Sequence, residues 1–114
     1  MRAVDRLILL PLLLCLALAA CNPIAERVIN KRKMNAQNLV SVYASAMAAG
    51  ADLSKVKTKH DAIELIRHGV YGAHSFATTL FTVPHMTDKE AKQASRYILL
   101  DASGQLTYSD QRVP

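Results

Sequence analysis

The chain reads as α+β: a long N-terminal helix packed on a small antiparallel sheet, with two short helices between. Three observations predict it. One long stretch has neither glycine nor proline and carries helically spaced apolar residues. Two Thr-x-x-Asp/Glu motifs mark short helices. The C-terminal third alternates β-rich runs with turn residues.

The first observation is the stretch from Ile24 to Ala49. Ala36, Leu39, Val40, Tyr43, Ala46 and Met47 recur every three or four residues, which puts them on one side of a helix. Asn35, Gln37, Asn38, Ser41 and Ser45 fill the other side, and Gly50 supplies a left-handed stop. At 1.5 Å per residue the stretch is roughly 35–40 Å long. The Met34–Met47 stripe is expected to be core.

After a lysine-bearing connector, Thr58 with Asp61 predicts the start of a short helix over His60 to His68, with Ala62, Ile63, Ile66 and Val70 at helical spacing and Gly69 as its end. Tyr71 to Phe76 reads as a loop. Thr78 to Val83 reads as a strand closed by Pro84. Thr87 with Glu90 opens a second short helix with Ala91, Ala94 and Ile98 on one face. Tyr97 to Leu100 and Leu106 to Ser109 then form a hairpin about Asp101-Ala102-Ser103-Gly104, with Gly104 left-handed and Asp110 to Pro114 a frayed tail.

Before all this lies Leu7 to Cys21, an uncharged apolar run behind Arg2 and Arg6 that ends in small residues. A basic start, an apolar centre and small residues at a cleavage point are the layout of a secretory signal. The run is shorter than the roughly 20 residues that cross a bilayer. Arg27, Lys31, Arg32 and Lys33 follow closely, and basic residues on both flanks oppose an uncleaved span, so cleavage is expected. The domain expectation is a leader over 1–20, a charged membrane-proximal part of the helix over 21–34 and a small head over 35–114.

Composition narrows the function classes. The chain has 114 residues, a formal charge of +5 and two cysteines, Cys15 and Cys21, both in or at the end of the leader. A mature head would hold no internal disulfide and must rest on packing. Arg27, Lys31, Arg32 and Lys33 form a basic cluster beside an anchor, which suits anionic headgroups. The cluster lacks the interleaved aromatics of a nucleic-acid reader, so no nucleic-acid partner is expected.

The candidates for chemistry are few. His60 and His68 are eight apart, and His74 and His85 lie elsewhere, without a tight pair or a cysteine partner, so no metal site is expected. Asp61 with Glu64 reads as a solvated helix pair, and Ser75 beside His74 is not a triad. No catalytic residue, cofactor or small-molecule substrate is expected. The aromatic residues Tyr43, Tyr71, Phe76, Phe81, Tyr97 and Tyr108 are mostly core, with any exposed remainder suited to docking.

Two resemblances add to this reading. Leu18-Ala19-Ala20-Cys21 resembles the lipobox of bacterial lipoproteins. It implies recognition through Leu18, Ala19 and Ala20, cleavage before Cys21, and lipidation of Cys21. Asn22 in place of aspartate implies an outer-membrane address facing the periplasm, with an inner-membrane helix as the alternative.

The second resemblance covers about residues 33–109. Asn35-Ala36-Gln37-Asn38-Leu39-Val40-Ser41-Val42-Tyr43-Ala44, Phe81-Thr82-Val83-Pro84 and Leu106-Thr107-Tyr108 are similar to the body of type IV pilin-like and type II secretion pseudopilin-like proteins. That implies a structural or accessory subunit with protein partners, including like subunits, and a membrane-lipid anchor. The glycine and glutamate of a prepilin leader are missing before Cys21, and Arg6 and Pro11 interrupt any attempt to place them. A pilin-like head behind a lipoprotein leader accounts for both halves. The alternative is a small periplasm-facing lipoprotein adaptor unrelated to filaments.

Overall fold

Helix α1 spans Arg2–Ala48. The structure, a computed structural model, describes side chains for residues 23–114. The chain divides into two units, Met1–Lys31 and Arg32–Pro114. Among the described residues no helix is long and apolar enough to cross a membrane.

In the second unit the apolar stripe of α1 becomes the floor of the core. Ala36, Leu39 and Ala46 are fully buried and Tyr43 nearly so, while Val40 and Met47 pack at the edge. The spacing of three and four residues brings these side chains to one face, and the polar positions between them stay outside. Met34 departs from the expectation: it is 59% exposed. It lies two residues before Ala36, about 200° around the helix, and so faces away from the buried stripe. Gly50 ends the helix with φ +77°, and Ala51 N–H returns to the Ala46 carbonyl.

Helix α2 (Lys59–His68) begins as predicted. The Thr58 hydroxyl accepts from Asp61 N–H, and the Asp61 carboxylate accepts from Thr58 N–H, so two orphan donors are satisfied reciprocally. Ala62, Ile63 and Ile66 turn into the core. Gly69, at φ +96°, ends α2 and returns its N–H to the Leu65 carbonyl.

The segment that follows differs from the expected loop. Val70, expected to continue the helical spacing, lies beyond the Gly69 stop and joins Tyr71 in a short strand, β1 (Val70–Tyr71), while His74–Phe76 is a 3₁₀ turn. The predicted strand over 78–83 shrinks to β2 (Leu80–Phe81), antiparallel to β1 with Val70 opposite Phe81 and Tyr71 opposite Leu80. Its continuation is diverted by the end of α2. Val83 N–H and the Thr82 hydroxyl both donate to the Ile66 carbonyl, one of the acceptors a helix end leaves open.

Helix α3 (Asp88–Ser95) repeats the reciprocal cap through Thr87 and Glu90 and buries Ala91 and Ala94. The expected hairpin follows with each strand one residue shorter, and Ile98, expected on the α3 face, belongs to it because α3 ends at Ser95: β3 (Ile98–Leu100) pairs antiparallel with β4 (Leu106–Tyr108), Ile98 opposite Tyr108. Asp101 organises its loop, accepting from Ser103 N–H, the Ser103 hydroxyl and Gln105 N–H, while Gly104 takes φ +86°. These bonds hold the Asp101 carboxyl below the usual carboxylate range.

The architecture is therefore α+β, but with two separate two-stranded ribbons where one sheet was expected. Such ribbons are marginal alone, so their stability comes from the helices beneath them. Tyr43, Ile66 and Ile98 from α1, α2 and β3 meet in one apolar cluster with Tyr97 and Leu106. No residue buried among those described is polar or charged.

Candidate functional site

The signal residues Leu18, Ala19 and Ala20 and the lipidation candidate Cys21 lie outside the residues described with side chains. Immediately after them, every residue from Pro23 to Asn30 is exposed. Ile24 is 69% exposed, and Val28 and Ile29 are also well exposed. Ile24 and Val28 are four apart, so this part of α1 carries an apolar edge with Arg27 and Lys31 close by in sequence.

Arg32 and Lys33, the other two basic residues of the cluster, belong to the second unit and are half-buried. The tail over Asp110 to Pro114 is held rather than frayed, because Lys33 reaches it and Val113 N–H bonds the Arg96 carbonyl: Lys33 Nζ lies 3.1 Å from Asp110 Oδ1 and 5.7 Å from the centre of the Tyr97 ring. The Tyr108 hydroxyl donates to the same carboxylate oxygen at 3.2 Å. The Lys33 ammonium, and then the Tyr108 hydroxyl, hold the Asp110 carboxyl below its ordinary value. A carboxyl depressed in this way contributes stability above its unfolded value and loses it as pH falls through the lower folded value. The tail should therefore loosen from α1 only when pH drops below about 3.8, the ordinary value for aspartate. Lys33→Met should move the Asp110 carboxyl back up, read from carboxyl-carbon NMR titration; an unmoved Asp110 would exclude the contact in solution.

Of the residues weighed for chemistry, Asp61, Glu64 and His68 have structural partners. Asp61 is occupied in the α2 cap, and Glu64 lies 2.6 Å from Arg67 and 3.4 Å from His68. Arg67 also meets Asp88 at 2.8 Å and donates to the Met86 carbonyl, which fastens α2 to the start of α3. His74 and Ser75 are neighbours in the exposed 3₁₀ turn, and His74 and His85 both take positive φ. Among the described residues no group of three or more His, Cys, Asp or Glu is placed to hold a metal ion.

The aromatic set divides. Tyr43 and Tyr97 are core, and the Tyr43 hydroxyl donates to the Gly104 carbonyl at 3.3 Å, joining α1 to the hairpin loop. Tyr71 and Phe76 are 58% and 47% exposed, beside Leu80 at 47%. Cross-strand pairing sets Tyr71 against Leu80, so the β1–β2 ribbon carries apolar side chains outward. The sequence leaves open which aromatics are exposed, because Tyr71 to Phe76 carries loop residues and the ribbon forms only where Leu80–Phe81 comes alongside.

Compared with known proteins, the chain matches no family model, no curated protein and no solved structure.

Proposed function

We propose that this chain is an exported, membrane-anchored, non-enzymatic subunit of pilin-like type that works through protein–protein contacts. The observation that carries this reading is the division of labour along α1. Residues 36–46 supply the floor of the folded unit, while residues 23–30, next to the leader, leave Ile24, Val28 and Ile29 exposed. That division suits a helix that joins a membrane anchor to a head. The leader ending in Leu18-Ala19-Ala20-Cys21 supports anchoring through an acylated Cys21. Arg27 and Lys31, between anchor and head, suit anionic headgroups, whereas Lys33 is drawn to Asp110.

Mass spectrometry of the membrane-extracted chain tests the anchor. The expected species starts at Cys21 and carries acyl mass. A species keeping the whole leader with an unmodified Cys21 would overturn it. Cys21→Ala should leave an unprocessed precursor or shift the head to the soluble fraction. Sheared surface fractions separate the two readings of partnership. The head is found there if it enters a filament, and is missing under all conditions if it serves as a free lipoprotein adaptor.

A further inference from the structure

A second candidate site lies away from the anchor, where the N-terminus of α2, the C-terminus of α3 and the chain's tail converge. A groove of about 410 Å³ opens there, lined by Lys59, Lys92, Ser95, Arg96 and Arg112, with Val113 and Pro114 at the rim. Four of these side chains are cations, and no aspartate or glutamate is among them. A terminal carboxylate on Pro114 would offset one charge of the four.

Nearby carboxylates are already committed. Glu64 and Asp88 line the adjoining cavity, which shares Lys59, Lys92 and Ser95 with the groove. Both carboxylates bind Arg67, at 2.6 and 2.8 Å. Lys92 in α3 and Arg96, the residue that caps its C-terminus, meanwhile stand four apart, which brings two like charges together at that end of the helix.

The groove is also held in shape. Lys59 Nζ donates to the Ser95 carbonyl at 2.7 Å and the Ile98 carbonyl at 3.0 Å, carbonyls at the end of α3 and the start of β3. An ammonium has three donors, and the third has no acceptor among the described residues. Burial without a carboxylate partner pushes the Lys59 ammonium's pKa down, a cost that an incoming anion relieves. Val113 N–H donates to the Arg96 carbonyl at 2.7 Å, which pins the tail and carries Arg112 to the rim. The ligand class follows from charge and shape. A single carboxylate satisfies one forked guanidinium, whereas a phosphate group presents several acceptor oxygens and fits two arginines and two lysines together.

We infer that this groove binds a phosphate group, carried either by an anionic lipid headgroup or by free phosphate. The test uses the full chain in neutral detergent and follows amide and side-chain NMR signals of Lys59, Arg96 and Arg112. One arm adds inorganic phosphate. The other adds phosphatidylglycerol to the micelles, with plain micelles as reference. Saturable shifts with inorganic phosphate assign free phosphate as a source, and shifts with phosphatidylglycerol alone assign the headgroup.

The Lys92→Gln/Arg112→Gln double variant alters two exposed side chains that carry no core packing. It should keep the thermal midpoint and weaken binding by at least about tenfold, the effect expected for losing charge-assisted hydrogen bonds. Lys55→Gln/Lys57→Gln removes the same net charge from the exposed connector and should leave binding unchanged. Equal weakening by both pairs would reduce the effect to net charge and overturn the site. Absence of saturation with either probe would overturn it too.

Discussion

Leu39→Ala should lower the stability of the folded unit by about 3 kcal/mol, within the range of roughly 2–5 kcal/mol for deleting a buried leucine side chain. Leu39 is fully buried at the centre of the α1 stripe, between Ala36 and Tyr43 on the same face. Its neighbours leave little means of closing the void. Ala36 is too short to extend into it, and Tyr43 is tethered through its hydroxyl to the Gly104 carbonyl. For a unit of this size the loss corresponds to a fall in thermal midpoint of roughly 10–20 °C. Small domains hold only about 5–15 kcal/mol in total, so the variant sits near the edge of folding at physiological temperature. Met34→Ala is the comparison, because Met34 is on the same helix but 59% exposed. Exposed substitutions of that kind stay within about 0.5 kcal/mol. Thermal unfolding followed by circular dichroism checks both, and equal midpoints for the two variants would refute the assignment of the buried face.

The helices were legible because their signals are local. Thr58 with Asp61 and Thr87 with Glu90 each close a cap within three residues, and the α1 stripe repeats within a few turns. The hairpin was legible for the same reason: Asp101 and Gly104 shape the loop with bonds that span at most four residues. The first ribbon was not legible. Val70–Tyr71 is a strand because Leu80–Phe81 lies beside it, and β2 ends early because the Ile66 carbonyl takes Val83 N–H and the Thr82 hydroxyl. Those are competitions between distant parts of the chain, which periodicity does not record. The cationic groove was hidden likewise, since Lys59, Lys92, Arg96 and Arg112 are scattered over more than fifty positions. The basic run from Arg27 to Lys33 reads as one cluster in sequence, yet Asp110, far along the chain, draws Lys33 to the tail.

Gly72→Ala should destabilise the folded unit by about 1–3 kcal/mol, the usual cost of forcing an extra methyl into a filled space. The reason is room rather than backbone conformation. A Cβ at position 72 would stand 2.6 Å from Phe76 Cβ, 2.8 Å from the Phe76 carbonyl oxygen and 3.1 Å from Ala49 Cβ. Two of these three neighbours belong to Phe76, which cannot easily retreat. Phe76 N–H is bonded to the Ala73 carbonyl, the Phe76 carbonyl accepts from Thr79 N–H, and Ala73 N–H is bonded to the Ala49 carbonyl at the end of α1. The crossing of β1 over that end is thus fixed by main-chain bonds on each side. Because the collision involves Cβ and main chain, Phe76→Ala should not rescue the variant: alanine keeps both obstructing atoms. Gly104→Ala provides a contrast, since a Cβ there meets nothing within 4 Å and the cost comes from φ +86° alone. Thermal unfolding gives the size of each loss, and amide exchange locates it. Gly72→Ala should speed exchange at Ala73 and Thr79, whose bonds tie the ribbon to its surroundings, while Gly104→Ala should speed it at Gln105 and its neighbours in the hairpin loop. Recovery of the Gly72→Ala midpoint on adding Phe76→Ala would mean that the aromatic ring, and not the chain's close approach, fills the space.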